Sequence, residues 1–236
     1  MRHMVRHFVA ELVGTFALVF VVGLSVMMAR AMGADGGSAV LMIALVHGGI
    51  YAALVSAMMT VSGHFNPAVT IGFVFARRLD PVMAGIYLCG QLVGAVAGAY
   101  LLRVVVPISI FTATRGTGQY VSLDITGSQA FVLEAIMTFL LAFVIFGTAV
   151  DKSAPKLGGL AIGLMVTVAT LAIYPLTGAS LNPARSFGPA IVTGVFEAQA
   201  IYWAAPILGA IVAALLYDQL FSERRPEPVD HGAMGS

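Results

Sequence analysis

The segment Asn182-Pro183-Ala184-Arg185 decides the fold, because a shorter copy of it, Asn66-Pro67-Ala68, stands in the first half of the chain. An asparagine side chain caps a helix well, since its oxygen accepts a hydrogen bond from a free amide of the first turn. Proline at the next position loses no hydrogen bond, because that N–H has no partner inside the helix. Each copy therefore predicts the start of a helix, and the second adds an arginine at the helix's positive end.

The composition indicates a membrane protein. Of the 236 residues, 59% are hydrophobic and 10% are charged, with a mean hydropathy of +0.96. A soluble domain carries about 25% charged residues, so this chain has too few to cover a surface that faces water. The net charge of +1 gives no reason to expect nucleic acid as a partner. The single cysteine, Cys89, excludes an internal disulfide.

The lengths of the apolar runs predict an all-α membrane protein. A helix needs about 20 apolar residues to cross a bilayer, and six runs reach that length: 8–29, 39–60, 82–106, 129–150, 157–175 and 199–221. Two further runs, 66–76 and 182–192, are too short to cross, and each begins at a copy of Asn-Pro-Ala. We therefore expect six transmembrane helices and two re-entrant half-helices.

The two halves of the chain repeat each other. The first span contains Glu11-x-x-x-Thr15-Phe16 and the fourth contains Glu134-x-x-x-Thr138-Phe139. Each half has three spans, so the second copy enters the membrane inverted, as in other transport proteins built from broken helices. We expect one channel domain over 1–222, with repeats at 8–106 and 129–221, and a disordered cytoplasmic tail over 223–236.

Basic residues predict the orientation. The side that carries both termini holds eight of them: Arg2, Arg6, Arg77, Arg78, Lys152, Lys156, Arg224 and Arg225. The opposite side holds three: Arg30, Arg103 and Arg115. By the positive-inside rule both termini lie in the cytoplasm. No targeting extension precedes the first span, so we expect a prokaryotic inner membrane.

These motifs resemble the aquaporins of the major intrinsic protein family over about residues 8–221. The resemblance is carried by Ser62-Gly-His-Phe-Asn-Pro-Ala-Val-Thr, Leu181-Asn-Pro-Ala-Arg-Ser-Phe-Gly-Pro and the two Glu-x-x-x-Thr-Phe copies. It implies an orthodox bacterial or archaeal water channel, usually a homotetramer with one pore in each subunit. No metal-ligand cluster or nucleophile–base pair stands inside the spans, so we predict no enzymatic activity, metal site or cofactor.

The charge at the ends of the two half-helices predicts how the pore excludes cations and protons. Each half-helix N-terminus carries about half a positive charge, and two of them aimed at one midplane repel cations. Asn66 and Asn182 would point amide groups at a passing water, whose hydrogens then face outward and oppose a continuous proton wire. Arg185 adds a second barrier to cations. A structural salt bridge is the alternative role for Arg185.

Three further ionisable side chains are predicted to support the loops that precede the half-helices. In the family, glutamates at the positions of Glu11 and Glu134 brace the pore loops through backbone amides, with a proton relay as the alternative. His64 is predicted to be a buried hydrogen-bonding group rather than a pore-lining one.

The family selects solutes at a four-residue constriction. By resemblance, Thr170, Ala179 and Arg185 supply three of its positions. Counting back the usual twenty residues from Asn66 gives Val46 as the fourth. However, the loop from Gly63 to Asn66 is one residue shorter than its counterpart, which moves the position to His47. His47 is preferred over Val46, and a histidine that merely packs in the core remains an alternative.

The predicted filter differs from that of a strict water channel. Threonine at 170 replaces a larger histidine, and a histidine on the second span is typical of plant vacuolar-type filters. We predict passive water conduction within the bilayer, and glycerol, urea, ammonia or hydrogen peroxide as an alternative cargo. An ion-coupled transporter would need a chain of titratable groups across the midplane, which the spans lack.

Overall fold

The computed structural model describes residues 1–151 and 157–221, and in this part of the chain six helices are long and apolar enough to cross a membrane. They are α1 (Arg2–Ala31), α2 (Gly36–Met58), α4 (Pro81–Val105), α6 (Gly127–Ile145, continued by a π-helical turn over Phe146–Val150), α7 (Leu160–Thr177) and α9 (Gln199–Leu220). The described residues also form two half-helices, α3 (Pro67–Phe75) and α8 (Pro183–Thr193), a short helix, α5 (Ile108–Ala113), and a 3-10 turn over Arg115–Thr117. The predicted fold class is confirmed.

Three differences between the observed helices and the sequence prediction have a clear physical reason. Helix α1 already begins at Arg2, because the basic first turns continue the helix beyond the apolar run. Helix α7 includes Pro175 and ends at Thr177, followed by Gly178, whose φ of +73° permits the left-handed cap. Helix α5 lies between the third and fourth predicted spans, and its six residues are too few to show a periodic pattern.

The sequence sets the starts of α4 and α6 with side-chain caps. The Asp80 carboxylate accepts a hydrogen bond from the amide of Val82 at 2.9 Å, directly before Pro81. At the start of α6, Thr126 and Gln129 form a reciprocal capping box. Both caps lie at the ends of spans, where they satisfy amides that have no partner inside the helix.

The two halves interlock around the half-helices. Helix α1 packs along α4, α6 packs along α9, and α2 packs along α7. Each half-helix packs mainly on the last span of the opposite half, α3 on α9 and α8 on α4. This packing of each half-helix on the opposite half agrees with an inverted repeat. It brings the N-terminal ends of α3 and α8 together inside the bundle.

Glycines allow the paired spans to touch backbone to backbone. A Cβ atom at Gly94 of α4 would lie 2.3 Å from the carbonyl oxygen of Leu12, and one at Gly209 of α9 would lie 2.1 Å from that of Ala135. Both distances are far below van der Waals contact. Gly90, Gly94 and Gly98, which recur every four residues along α4, all meet the backbone of α1, so they serve packing within the subunit.

We expect Gly94→Ala to destabilise the protein by about 1–3 kcal/mol, the usual cost of overpacking a tight interface. Gly85→Ala in the same helix is the matched control, because nothing lies within 4 Å of its added Cβ. That control should be neutral or slightly stabilising, since alanine favours a helix over glycine. Thermal unfolding in detergent compares the two variants, and equal midpoints would contradict the close approach of α1 and α4.

Several of the basic residues that predict the orientation in the membrane lie outside the described residues. This applies to Lys152, Lys156, Arg224, Arg225 and the predicted tail over 223–236. On the side of the termini, Arg78 forms a salt bridge with Asp218, which ties the connection after α3 to the end of α9.

Candidate functional site

The two asparagines cap the half-helices and also bond to each other's loops. The side-chain oxygen of Asn66 accepts from the amide of Ala68 at 2.9 Å, and that of Asn182 accepts from the amide of Ala184 at 3.0 Å. The Asn66 amide group donates to the carbonyl of Leu181, and the Asn182 amide group donates to the carbonyl of Phe65, both at 2.8 Å. Each NH₂ group therefore uses one of its two hydrogens in a bond across the junction.

The residues before the asparagines adopt a strained backbone. Phe65 has a φ of 49° and Leu181 a φ of 52°, in the left-handed region that side chains disfavour. Such conformations persist only where the surroundings fix them. Both residues are buried, and the amide and carbonyl groups of each are hydrogen-bonded.

Two buried glutamates hold these loops. Glu11 accepts from the amides of His64 (3.0 Å) and Phe65 (2.7 Å), and also from the side chains of Ser62 and Gln91. In the second half, Glu134 occupies the corresponding place. It accepts from the amides of Ser180 and Leu181, both at 2.8 Å, and from the Thr177 hydroxyl at 2.7 Å.

The glutamate contacts align the two loops residue by residue. Ser62 and Thr177 give hydroxyl donors, while Phe65 and Leu181 give the last amides before the asparagines. His64 and Ser180 then correspond, since their amides donate to the same carboxylates. The first loop therefore lacks a counterpart to Ala179, which places the missing residue between Gly63 and His64.

A second polar pair repeats behind each loop. The His64 ring nitrogen Nδ1 lies 3.1 Å from the hydroxyl of Thr70 in α3. Correspondingly, the Ser180 hydroxyl contacts that of Ser186 in α8. The carbonyl of His64 also accepts from the Tyr51 hydroxyl at 2.7 Å. The half-buried His64 thus has polar partners on both its ring and its backbone.

Arg185 is buried beside the second loop, with only 3% of its surface exposed. Its Nη1 donates to the carbonyls of Gly178 (3.1 Å) and Ala179 (2.9 Å), and its Nε has no partner within the protein. The salt bridges found in residues 1–151 and 157–221 do not include it. The guanidinium therefore keeps donor capacity that protein groups do not use.

His47 and Thr170 come together although 123 positions separate them. The His47 Nδ1 atom lies 3.0 Å from the Thr170 hydroxyl, which also donates to the carbonyl of Val166. Both side chains are buried, whereas Val46 is half-buried. Ala179 is fully buried, and its carbonyl accepts a hydrogen bond directly from Arg185.

A cavity of about 420 Å³ opens above Arg185 on the side opposite the termini. Its lining includes Gln119, which sequence reasoning did not single out. The Gln119 side chain covers Gly178, where an added Cβ would come within 2.9 Å of its Cγ. Its side-chain oxygen is buried and has no partner within the protein. Nothing in the sequence signals this position, because a long connection returns over the bundle to bring it there.

Comparison with known proteins agrees with this architecture. The family model described as Major intrinsic protein matches residues 1–217. Aquaporin TIP4-4 from Zea mays is 37% identical over 226 residues, covering 92% of this chain and 87% of the relative. Aquaporin TIP1-2 from Zea mays is 38% identical over 229 residues, with the same two coverages of 92% and 87%.

The fold is also found among solved structures. The X-ray structure of the aquaglyceroporin from Plasmodium falciparum matches with a TM-score of 0.80 and 24% identity, covering 92% of this chain and 96% of that one. At this identity the match supports the fold alone. With the family model spanning nearly the whole chain, the protein belongs to the major intrinsic protein family, the aquaporins.

Proposed function

We propose that this protein is a passive channel that conducts water in single file and excludes protons and ions. The observation that carries the proposal is the reciprocal pair of bonds from Asn66 to Leu181 and from Asn182 to Phe65. These bonds fix two helix N-termini against each other inside the bundle. The positive ends of both helices then act on the same point of the path.

The asparagines would orient the water at the junction. Each NH₂ group has one hydrogen left after its bond to the opposite loop, so a single water oxygen can accept one bond from each. Both hydrogens of that water then point away from the junction along the file. A proton cannot hop through a file whose central water has no free acceptor, and the helix ends also repel hydronium.

We assign the constriction to His47, Thr170, Ala179 and Arg185. Support comes from the contact between His47 and Thr170 and from the unused donors of the Arg185 guanidinium. A cation that leaves bulk water here meets a full positive charge in a site of low dielectric, where repulsion is strong. A neutral molecule meets only hydrogen-bonding groups.

A second cargo is favoured by one feature of this constriction. Thr170 and Ala179 are small side chains, so two sides of the proposed filter lack bulk. We therefore include small neutral solutes such as glycerol, urea, ammonia and hydrogen peroxide as candidate cargo beside water.

Proteoliposomes distinguish the two cargo classes. Vesicles are first shocked with an impermeant osmolyte, and then given inward gradients of glycerol, urea and an ammonium salt in separate runs. Faster shrinkage than in empty vesicles supports water conduction. Reswelling in glycerol or urea, or faster alkalinisation in ammonium, supports the second class, and shrinkage no faster than in empty vesicles would refute the first.

The filter assignment predicts different effects at two neighbouring positions. We expect His47→Ala to widen the constriction and raise urea or glycerol permeability several-fold relative to water. Val46→Ala is the matched control and should leave that ratio unchanged, because its side chain is outside the proposed filter. Light scattering of proteoliposomes gives both rates. A changed ratio in Val46→Ala alone would reverse the assignment.

The remaining residues are assigned by their contacts. We propose that Glu11, Glu134 and His64 brace the pore loops, because both carboxylates accept hydrogen bonds from loop amides. The His64 ring adds a contact from its loop to Thr70 of α3. We further propose a homotetramer in an inner membrane, with both termini cytoplasmic. The distribution of basic residues supports the orientation.

A further inference from the structure

Two histidines near the start of α1 form a pair that the pore does not use. His3 and His7 are one helical turn apart, and their Nε2 atoms lie 3.0 Å from each other. The ring centroids are 4.2 Å apart. His3 is exposed and His7 is half-buried, so an ion in water can reach the gap between the two nitrogens.

The 3.0 Å between these nitrogens is a hydrogen-bond distance, and a metal ion with ligands at right angles could take the place of the shared proton. Imidazole nitrogens bind divalent transition metals at about 2.1 Å, so two ligands about 90° apart lie about 3.0 Å from each other. A tetrahedral angle would need about 3.4 Å at the same bond length. Right-angled nitrogen ligands are the tetragonal arrangement that Cu²⁺ and Ni²⁺ prefer.

A second contact holds His7 in the orientation that a ligand needs. Its other ring nitrogen, Nδ1, lies 2.8 Å from the Tyr87 hydroxyl of α4, and the two rings stack with centroids 5.5 Å apart. A histidine that binds metal through one nitrogen usually donates its other N–H to an oxygen, which fixes the tautomer. If Nδ1 donates to Tyr87, the Nε2 lone pair points at the gap.

The surroundings limit which ions the pair can hold. Arg6 is a charged neighbour of His7, and its positive charge opposes a bound cation. Within residues 1–151 and 157–221 no group of three or more potential ligands is present, so water must fill the other coordination positions. Mg²⁺ and Ca²⁺ prefer oxygen ligands and gain little here.

We propose that His3 and His7 form a two-histidine site for a tetragonal transition-metal ion, with Cu²⁺ or Ni²⁺ as the chemical class, and that Tyr87 is its positioning residue. This revises the expectation that the chain has no metal site, which concerned clusters inside the spans. The site lies at the end of the bundle that carries the N-terminus, and the Tyr87 ring also packs edge-on against His64, with centroids 5.1 Å apart.

The test is Cu²⁺ binding to purified, detergent-solubilised protein whose affinity tag has been removed, followed by electron paramagnetic resonance and titration. We expect a tetragonal signal with two nitrogen ligands. His3→Ala and His7→Ala should each lose that two-nitrogen signal and weaken binding tenfold or more. His231→Ala is the control for a histidine elsewhere in the chain and should change neither readout.

Tyr87→Phe tests the positioning role, because it keeps both ligands. Loss of an outer-shell partner of a metal-binding histidine typically lowers affinity about 10–100-fold, and we expect the low end here with the two-nitrogen signal retained. Excess Mg²⁺ should not displace the copper. The proposal is overturned if wild-type protein shows no two-nitrogen signal, or if His3→Ala, an exposed position that does not threaten folding, binds Cu²⁺ as wild type does.

Discussion

Replacing Arg185 with alanine is expected to let cations, including protons, leak through a pore that still conducts water. At an effective dielectric constant of about 20, a unit charge about 4 Å away repels a cation by about 4 kcal/mol. Each 1.4 kcal/mol corresponds to a tenfold change in rate. Water that enters the wider pore screens part of the effect, so we expect at least a tenfold rise in cation permeability.

Arg115→Ala is the matched control for that experiment. Arg115 also lines the cavity above Arg185, but it is exposed. Its guanidinium forms a long ion pair of 3.9 Å with Glu197 and lies over the Tyr120 ring, 5.1 Å from its centroid. Its removal should leave cation exclusion intact. A dye that reports internal pH, used in vesicles with an imposed proton gradient, measures the leak. If the proton leak rises equally in both variants, the summed charge around the cavity, rather than Arg185 itself, excludes cations.

Replacing Glu134 with glutamine is expected to abolish most water conduction and to destabilise the fold by about 2–5 kcal/mol. The buried carboxylate accepts two amides and a hydroxyl, whereas glutamine must turn an NH₂ group toward at least one of those donors. An unpaired buried donor costs about 1–3 kcal/mol, and bonds to a charged group contribute more than neutral ones.

Losing the Glu134 hydrogen bonds should also disturb the pore, because Leu181 connects Glu134 to Asn66. Its amide donates to Glu134, and its carbonyl accepts from Asn66 of the other half. Glu197→Gln on the exposed outer surface is the control. Thermal unfolding and osmotic shrinkage of proteoliposomes measure both effects. If Glu134→Gln unfolds at the wild-type temperature and conducts normally, the glutamate does not brace the loop.

The sequence predicted the helices because membrane spans leave strong local signals. Long apolar runs marked the spans, and asparagine followed by proline marked the start of each half-helix. The short α5 was missed because six residues carry no periodicity. The predicted fifth span ends at Pro175, but a proline in the last turn removes only one hydrogen bond, so α7 continues to Thr177.

The site was harder to predict because its contacts join distant segments. The shorter first loop was visible by counting residues, but only the hydrogen bonds to Glu11 and Glu134 locate the gap between Gly63 and His64. The bonds from each asparagine to the opposite loop depend on the left-handed backbone at Phe65 and Leu181, which no residue-type preference indicates. Gln119 likewise reaches the cavity above Arg185 through the tertiary fold alone.

The central claim is that the paired half-helices pass water while they stop protons, and one preparation can test both parts. Proteoliposomes that contain a pH-reporting dye are shocked osmotically while light scattering follows their volume, and the same vesicles then receive a proton gradient across the membrane. The account predicts water flux well above that of empty vesicles, with proton flux no higher than theirs. Water flux equal to that of empty vesicles, or proton flux that rises together with water flux, would contradict it.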